Sequence, residues 1–183
     1  MGGTNHIGER GAFLLIMWCA YIALVAPWGI AYAEVSAKRE RANIFDSDMF
    51  KCSVTAAYEF GVPIDVMLAV AEQEAGGVGE RKRNANGTFD VGVMQFNTSY
   101  LQDLERFGIS PQDVAGPGCY PYRLAAWRIR WHMIRDQGDI WQRIANYHSR
   151  NADQNAKYRA AIIRRSARWA DRLDGHGGHT ASR

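Results

Sequence analysis

Two glutamates stand two positions apart in residues 66–77, "VMLAVAEQEAGG". On a helix opening near Ile64, at about 100° per residue, Asp65 and Glu72 share one side, while Glu74 falls in the apolar arc of Met67, Val70 and Ala71. Glu72 therefore reads as a solvated surface residue. A carboxyl set among apolar neighbours has its pKa raised, so it can hold a proton near neutral pH and deliver it to a leaving oxygen. No Lys or Arg stands one turn earlier to pair with Glu74, which makes a general acid one reading. A carboxyl satisfied by a distant arginine or a backbone cap is the other. Gly76 and Gly77 end the helix and let a substrate approach.

A second group of polar residues follows in "DVGVMQFN", residues 90–97. Gln95 and Asn97 offer donors and acceptors suited to sugar hydroxyls and amides, and Met94 reads equally as core. Asp90 is the candidate for a second carboxylate, although a side chain between the Asn86-Gly87 turn and Gly92 more commonly caps the turn. In "IANYHSR", Tyr147 presents a ring for stacking and an O–H for a hydrogen bond, with core packing as the alternative.

The elements that must position these residues are mostly helical. Asp46, Ser47 and Asp48 offer caps for a helix reaching Gly61, and Pro63 opens the next at its first position. The helical period is lost over residues 77–97, where the Asn-Gly signal and the alternation of Phe89, Val91 and Val93 predict a short hairpin or irregular β segment. Helices are expected at about 98–107, 121–136, 139–147 and 153–173, separated at glycines. The fold class is α+β, mainly α, with a small β-hairpin element. In the last helix Tyr158, Ile162, Trp169 and Leu173 recur at packing intervals. Arg164, Arg165, Arg168 and Arg172 form a stripe on another side, read as a solvated face, with contact to an anionic polymer, phospholipid or protein partner as the weaker reading.

With 183 residues, 47% of them hydrophobic and 22% charged, the chain is expected to hold one domain. The apolar run 12–26, followed by a Pro and Gly break and by Ala31 and Ala33 ahead of Glu34, reads as a signal peptide over 1–33, with a retained N-terminal anchor as the alternative. Residues 34–45 are a leader, 46–174 the domain, and 175–183, which hold His176 and His179, a flexible tail. Export leaves Cys52 and Cys119, for which a disulfide is the first reading and two buried thiols the second. No CxxC, histidine cluster or zinc-type spacing occurs, so neither a metal nor a cofactor is expected. A formal net charge of +3 on an exported chain makes nucleic acid a poor partner.

Together "LAVAEQEAGG", "NGTFDVGVMQFN" and "IANYHSR" resemble the transglycosylase SLT domain, the soluble lytic transglycosylase family of the lysozyme-like superfamily, over about residues 50–158. The family's "E-S-G" maps onto Glu74, its "G-L-M-Q-I-N" onto residues 92–97, and its "A-Y-N-A-G" loosely onto residues 146–150. The resemblance implies a lysozyme-like domain in which Glu74 is the acid and base, Met94, Gln95 and Asn97 line the saccharide cleft, and Tyr147 faces the catalytic carboxyl or a sugar. It implies a periplasmic peptidoglycan lytic transglycosylase, cleaving the β-1,4 bond between N-acetylmuramic acid and N-acetylglucosamine with a 1,6-anhydro product. Its partners would be glycan strands, and the membrane only if the N-terminal segment is retained. "YHS" in place of "YNAG" is similar to small members that accompany type IV or type III secretion or conjugation machines. Ala75 stands where the family usually has Ser, and His148 and Arg150 replace Asn and Gly. A hydrolytic muramidase of the same fold and a non-catalytic peptidoglycan-binding assembly protein are the other readings.

Overall fold

The computed structural model describes Ser36 and residues 44–180; the expected signal segment, 1–33, lies outside the described residues. The chain divides into two units, 1–46 and 47–183, and the elements of the site all lie in the second. Among the described residues no helix is long and apolar enough to cross a membrane.

Helix α1, Asp48–Phe60, starts where Ser47 accepts a hydrogen bond from the Phe50 N–H at 3.2 Å, and it stops at Gly61 in the left-handed conformation. Pro63 is the N-cap of α2, Ile64–Glu74, one position ahead of its expected place. Six consecutive residues of α2, Val66 to Ala71, are buried. That pattern belongs to a helix enclosed on most sides rather than one lying on a surface. Helix α1 covers one flank of α2, and the long C-terminal helix α7, Ala152–Thr180, covers another.

The polar side of α2 is where the structure corrects the sequence. Glu72 does point away from Glu74, but it is not simply solvated: it accepts hydrogen bonds from the Trp169 Nε1–H at 2.7 Å and from Arg168 at 2.9 Å, and Arg165 lies 3.5 Å away. Asp65 accepts from the Ser166 hydroxyl. Trp169 is fully buried, so its indole N–H needs a partner, and Glu72 supplies it. Two residues of the arginine stripe thus tie α7 to α2 instead of standing free. Helix α7 also continues through Gly175, Gly177 and Gly178 to Thr180, where a flexible tail was expected from 175.

Between α2 and the next helix lies a three-stranded antiparallel sheet, with β1 Arg81–Arg83, β2 Phe89–Val91 and β3 Phe96–Asn97 in that order. The sheet carries one strand more than the expected hairpin. Its register sets Asp90 opposite Lys82 on one side and Asn97 on the other. All three residues of β1 are exposed and basic, which discourages further pairing at this edge. Then come α3, Thr98–Leu104, a 3₁₀ turn at Glu105–Phe107, α4, Pro111–Ala115, α5, Tyr120–Arg135, and α6, Ile140–Ala145. Helix α4 was not expected, although Ser110 and Asp113 cap it reciprocally. The Cys52 and Cys119 sulfurs are bonded, joining the buried interior of α1 to the N-cap of α5. The mainly helical α+β class with a small antiparallel sheet, in a lysozyme-like arrangement, is the class expected from the sequence.

One glycine sets the approach of the sheet to α4. Gly92 has φ 71°, and a Cβ there would lie 2.0 Å from the Val114 carbonyl oxygen. Gly92→Ala combines a left-handed backbone with a clash against main chain, so it is expected to cost about 3 kcal/mol. The check is a lower denaturant midpoint at unchanged slope.

Candidate active site

Glu74 is the last residue of α2, and the chain leaves it through Ala75, a non-glycine residue in the left-handed region at φ 43°. Ala75, rather than a glycine, therefore makes the turn that ends the helix. Gly76 is needed for a different reason: a Cβ on it would lie 2.2 Å from the Gly92 carbonyl oxygen and 2.4 Å from Gln95 Nε2. Its N–H donates to the Val93 carbonyl at 3.2 Å. The loop 92–95 is thereby held against the end of the helix that carries Glu74.

Burial pushes the Glu74 carboxyl up to about 7; the hydrogen bond from Tyr158 pulls it down, the charge of Asp90 raises it, and that of Arg128 lowers it. Tyr158, from α7, donates its hydroxyl to Glu74 Oε1. The Tyr158 ring stacks on His148, with centroids 4.8 Å apart and planes 2° from parallel. Desolvation holds the imidazole below the usual histidine range; Asp90 opposes this and Arg128 adds to it. A protonated carboxyl near pH 7, fixed by one hydroxyl and backed by two stacked rings, has what a general acid needs.

Of the expected site residues, Met94 is fully buried and lines no cleft. What it contributes is its carbonyl, which accepts the Tyr147 hydroxyl at 2.8 Å. Tyr147 is likewise buried with its O–H engaged there, so Tyr158 rather than Tyr147 bonds the glutamate. The Asn97 amide donates to Thr88 Oγ1 and to Asp90 Oδ1, both at 2.9 Å, while its oxygen caps α3 through the Ser99 N–H at 3.0 Å. Asn97 is thus occupied in joining β2, β3 and α3, and Asp90 is bonded across the sheet as well as charged beside Glu74. Gln95, at φ 48°, donates through Nε2 to the Gly92 carbonyl at 2.9 Å, and its side-chain oxygen has no protein partner among the described residues.

Sequence reasoning missed two members of the site. Tyr158 was assigned to helix packing, and nothing in its spacing could link it to a glutamate 84 residues away. Arg128, in α5, lies with its guanidinium carbon 3.9 Å from the Tyr100 ring centre and 4.8 Å from that of Tyr147. A groove of about 1080 Å³ runs along α5, with Tyr100, Phe107, Trp127, Arg128, Trp131 and His148 among its walls. Glu74 is not one of those walls, but Arg128 and His148 belong both to the groove and to the surroundings of the glutamate. Exposed aromatic faces beside a polar reactive group suit a sugar strand, whose rings stack and whose hydroxyls hydrogen-bond.

Removing the Tyr158 hydroxyl removes an influence that lowers the Glu74 pKa. Tyr158→Phe is therefore expected to move the glutamate's titration above 7. Carbon-13 titration of the Glu74 carboxyl checks this directly; a downward shift would mean that the bond favours the protonated form.

No family model matches the chain. It is similar to Invasion protein IagB of Salmonella typhimurium, 25% identical over 112 residues that make up 59% of this chain and 68% of that protein. It is similar also to Protein IpgF of Shigella flexneri, 27% identical over 124 residues, which are 65% of this chain and 81% of that protein.

Proposed function

We propose that the chain is an exported peptidoglycan lytic transglycosylase with Glu74 as its acid and base. The observation that carries this reading is a carboxyl raised to about 7 at the end of α2, bonded to Tyr158 and pressed against the loop of the "GVMQFN" motif. Protonated Glu74 gives its proton to the glycosidic oxygen as the C1–O bond breaks, and the acetamido carbonyl oxygen of the same sugar closes on C1. The carboxylate left behind takes the proton of the sugar's 6-hydroxyl as that oxygen bonds to C1 and displaces the acetamido oxygen. Glu74 ends protonated, and the product is an anhydro sugar. One carboxyl suffices, in keeping with an Asp90 engaged by Asn97.

The likeness to a protein named for invasion, together with "YHS" at residues 147–149, supports work beside an envelope-spanning secretion or conjugation machine, opening the wall locally. The disulfide supports an oxidising compartment, the periplasm.

The test is mass spectrometry of purified peptidoglycan digested by the chain from Glu34 onward, with Glu74→Gln as control. Anhydro-ended muropeptides absent from the variant digest are expected. Reducing ends would assign a hydrolytic muramidase, and pull-down of peptidoglycan without products would assign a binding protein.

A further inference from the structure

The groove along α5 holds four arginines, and two are already paired. Arg123 donates to Glu59 at 2.7 Å, and Arg150 pairs with Asp136 at 2.8 Å. Arg106 is exposed over the Phe107 ring, where water solvates it. Arg128 differs from all three. It is half-buried, no carboxylate among the described residues pairs with it, and its Nε is buried without a hydrogen-bond partner. The faces of Tyr100 and Tyr147 hold its plane, so little side-chain freedom remains to be lost when a ligand binds. A half-buried cation held in place by two rings, with no carboxylate paired to it, leaves a strong interaction unmade.

We propose that Arg128 is the anion-binding residue of the groove and takes a carboxylate of the bound strand next to the bond that Glu74 protonates. The identity of the ligand rests on the proposed function; the site rests on Arg128 and its surroundings. Peptidoglycan offers this carboxylate from two sources: the lactyl group of a muramic acid stripped of its peptide, and the free carboxylates of the peptide stem. Either fits a planar guanidinium in a two-bond fork.

Three probes distinguish the sources: solubilised strands with intact stems, the same strands with their carboxylates amidated, and strands stripped of stems so that the lactyl carboxylate is free. Binding is measured by calorimetry on the Glu74→Gln chain, which leaves the probes uncut. Intact or stripped strands are expected to bind about tenfold more tightly than amidated ones. The stronger of the two identifies the source. Adding Arg128→Gln should erase the tenfold difference, and Arg128→Lys should keep part of it. Equal affinity for all three probes, binding of none, or a preference that survives Arg128→Gln would overturn the assignment. Carboxylate-dependent binding without any cleavage by the wild-type chain would sink the proposed reaction and leave the carboxylate site standing.

Discussion

Under the proposed reaction, Glu74→Gln is expected to lower kcat/KM on peptidoglycan by about 10³-fold, the contribution of a group that serves as acid and then as base. Gln keeps the shape and an oxygen that can accept from Tyr158, so the loss is one of proton transfer and not of packing. With the wild-type carboxyl at about 7, the acid form dominates below that pH, and the rate should fall as pH rises through it. The same shift bears on stability. Between the ordinary carboxyl value of 4.5 and about 7, the folded chain binds the proton more tightly than the unfolded chain, so folding weakens with pH across that window and is level above it. Glu74→Gln should remove this decline. The variant is expected to match the wild type near pH 4 and to exceed it at pH 8 by up to about 3 kcal/mol. A variant with normal activity, or one less stable at pH 8, would show that Glu74 is an ordinary paired carboxylate.

Loss of the disulfide is the largest stability effect expected. The bridge closes a span of 67 positions, and constraining such a loop in the unfolded chain is worth about 4 kcal/mol. Replacing both Cys52 and Cys119 by Ala should lower the thermal midpoint by roughly 10 to 15 °C. Activity at low temperature should suffer less than the midpoint, because α5 is also held by the Arg123 bond to Glu59. An unchanged midpoint in the double variant would mean that the bridge restrains nothing that unfolding releases.

The helical scaffold was largely legible in the sequence because its signals are local. Caps at Ser47 and Gly61, and the rotation that sets Glu72 and Glu74 on opposite sides of α2, follow from spacing alone. The two-residue strand β3 carries no period, and the capping pair of α4 sits in a segment too short to show one. The members of the site were less legible, since side chains with the right chemistry are assigned by tertiary contacts. Asn97 has the groups of a sugar ligand yet has committed them to Thr88, Asp90 and the cap of α3. Met94 sits inside its motif with its side chain turned to the core, while Tyr158, outside every motif, reaches the glutamate.

The partner of Glu74 comes from α7, and α7 follows every other element of the site along the chain. Before that helix has docked, Glu74 lacks Tyr158 and the part of its burial that α7 supplies. The surroundings of Glu74 are therefore the last part of the site to be completed as the protein is made. A chain interrupted before α7 carries all three motifs and still lacks the hydroxyl that holds Glu74. Under the proposed reaction, completion of the fold would itself be the safety catch.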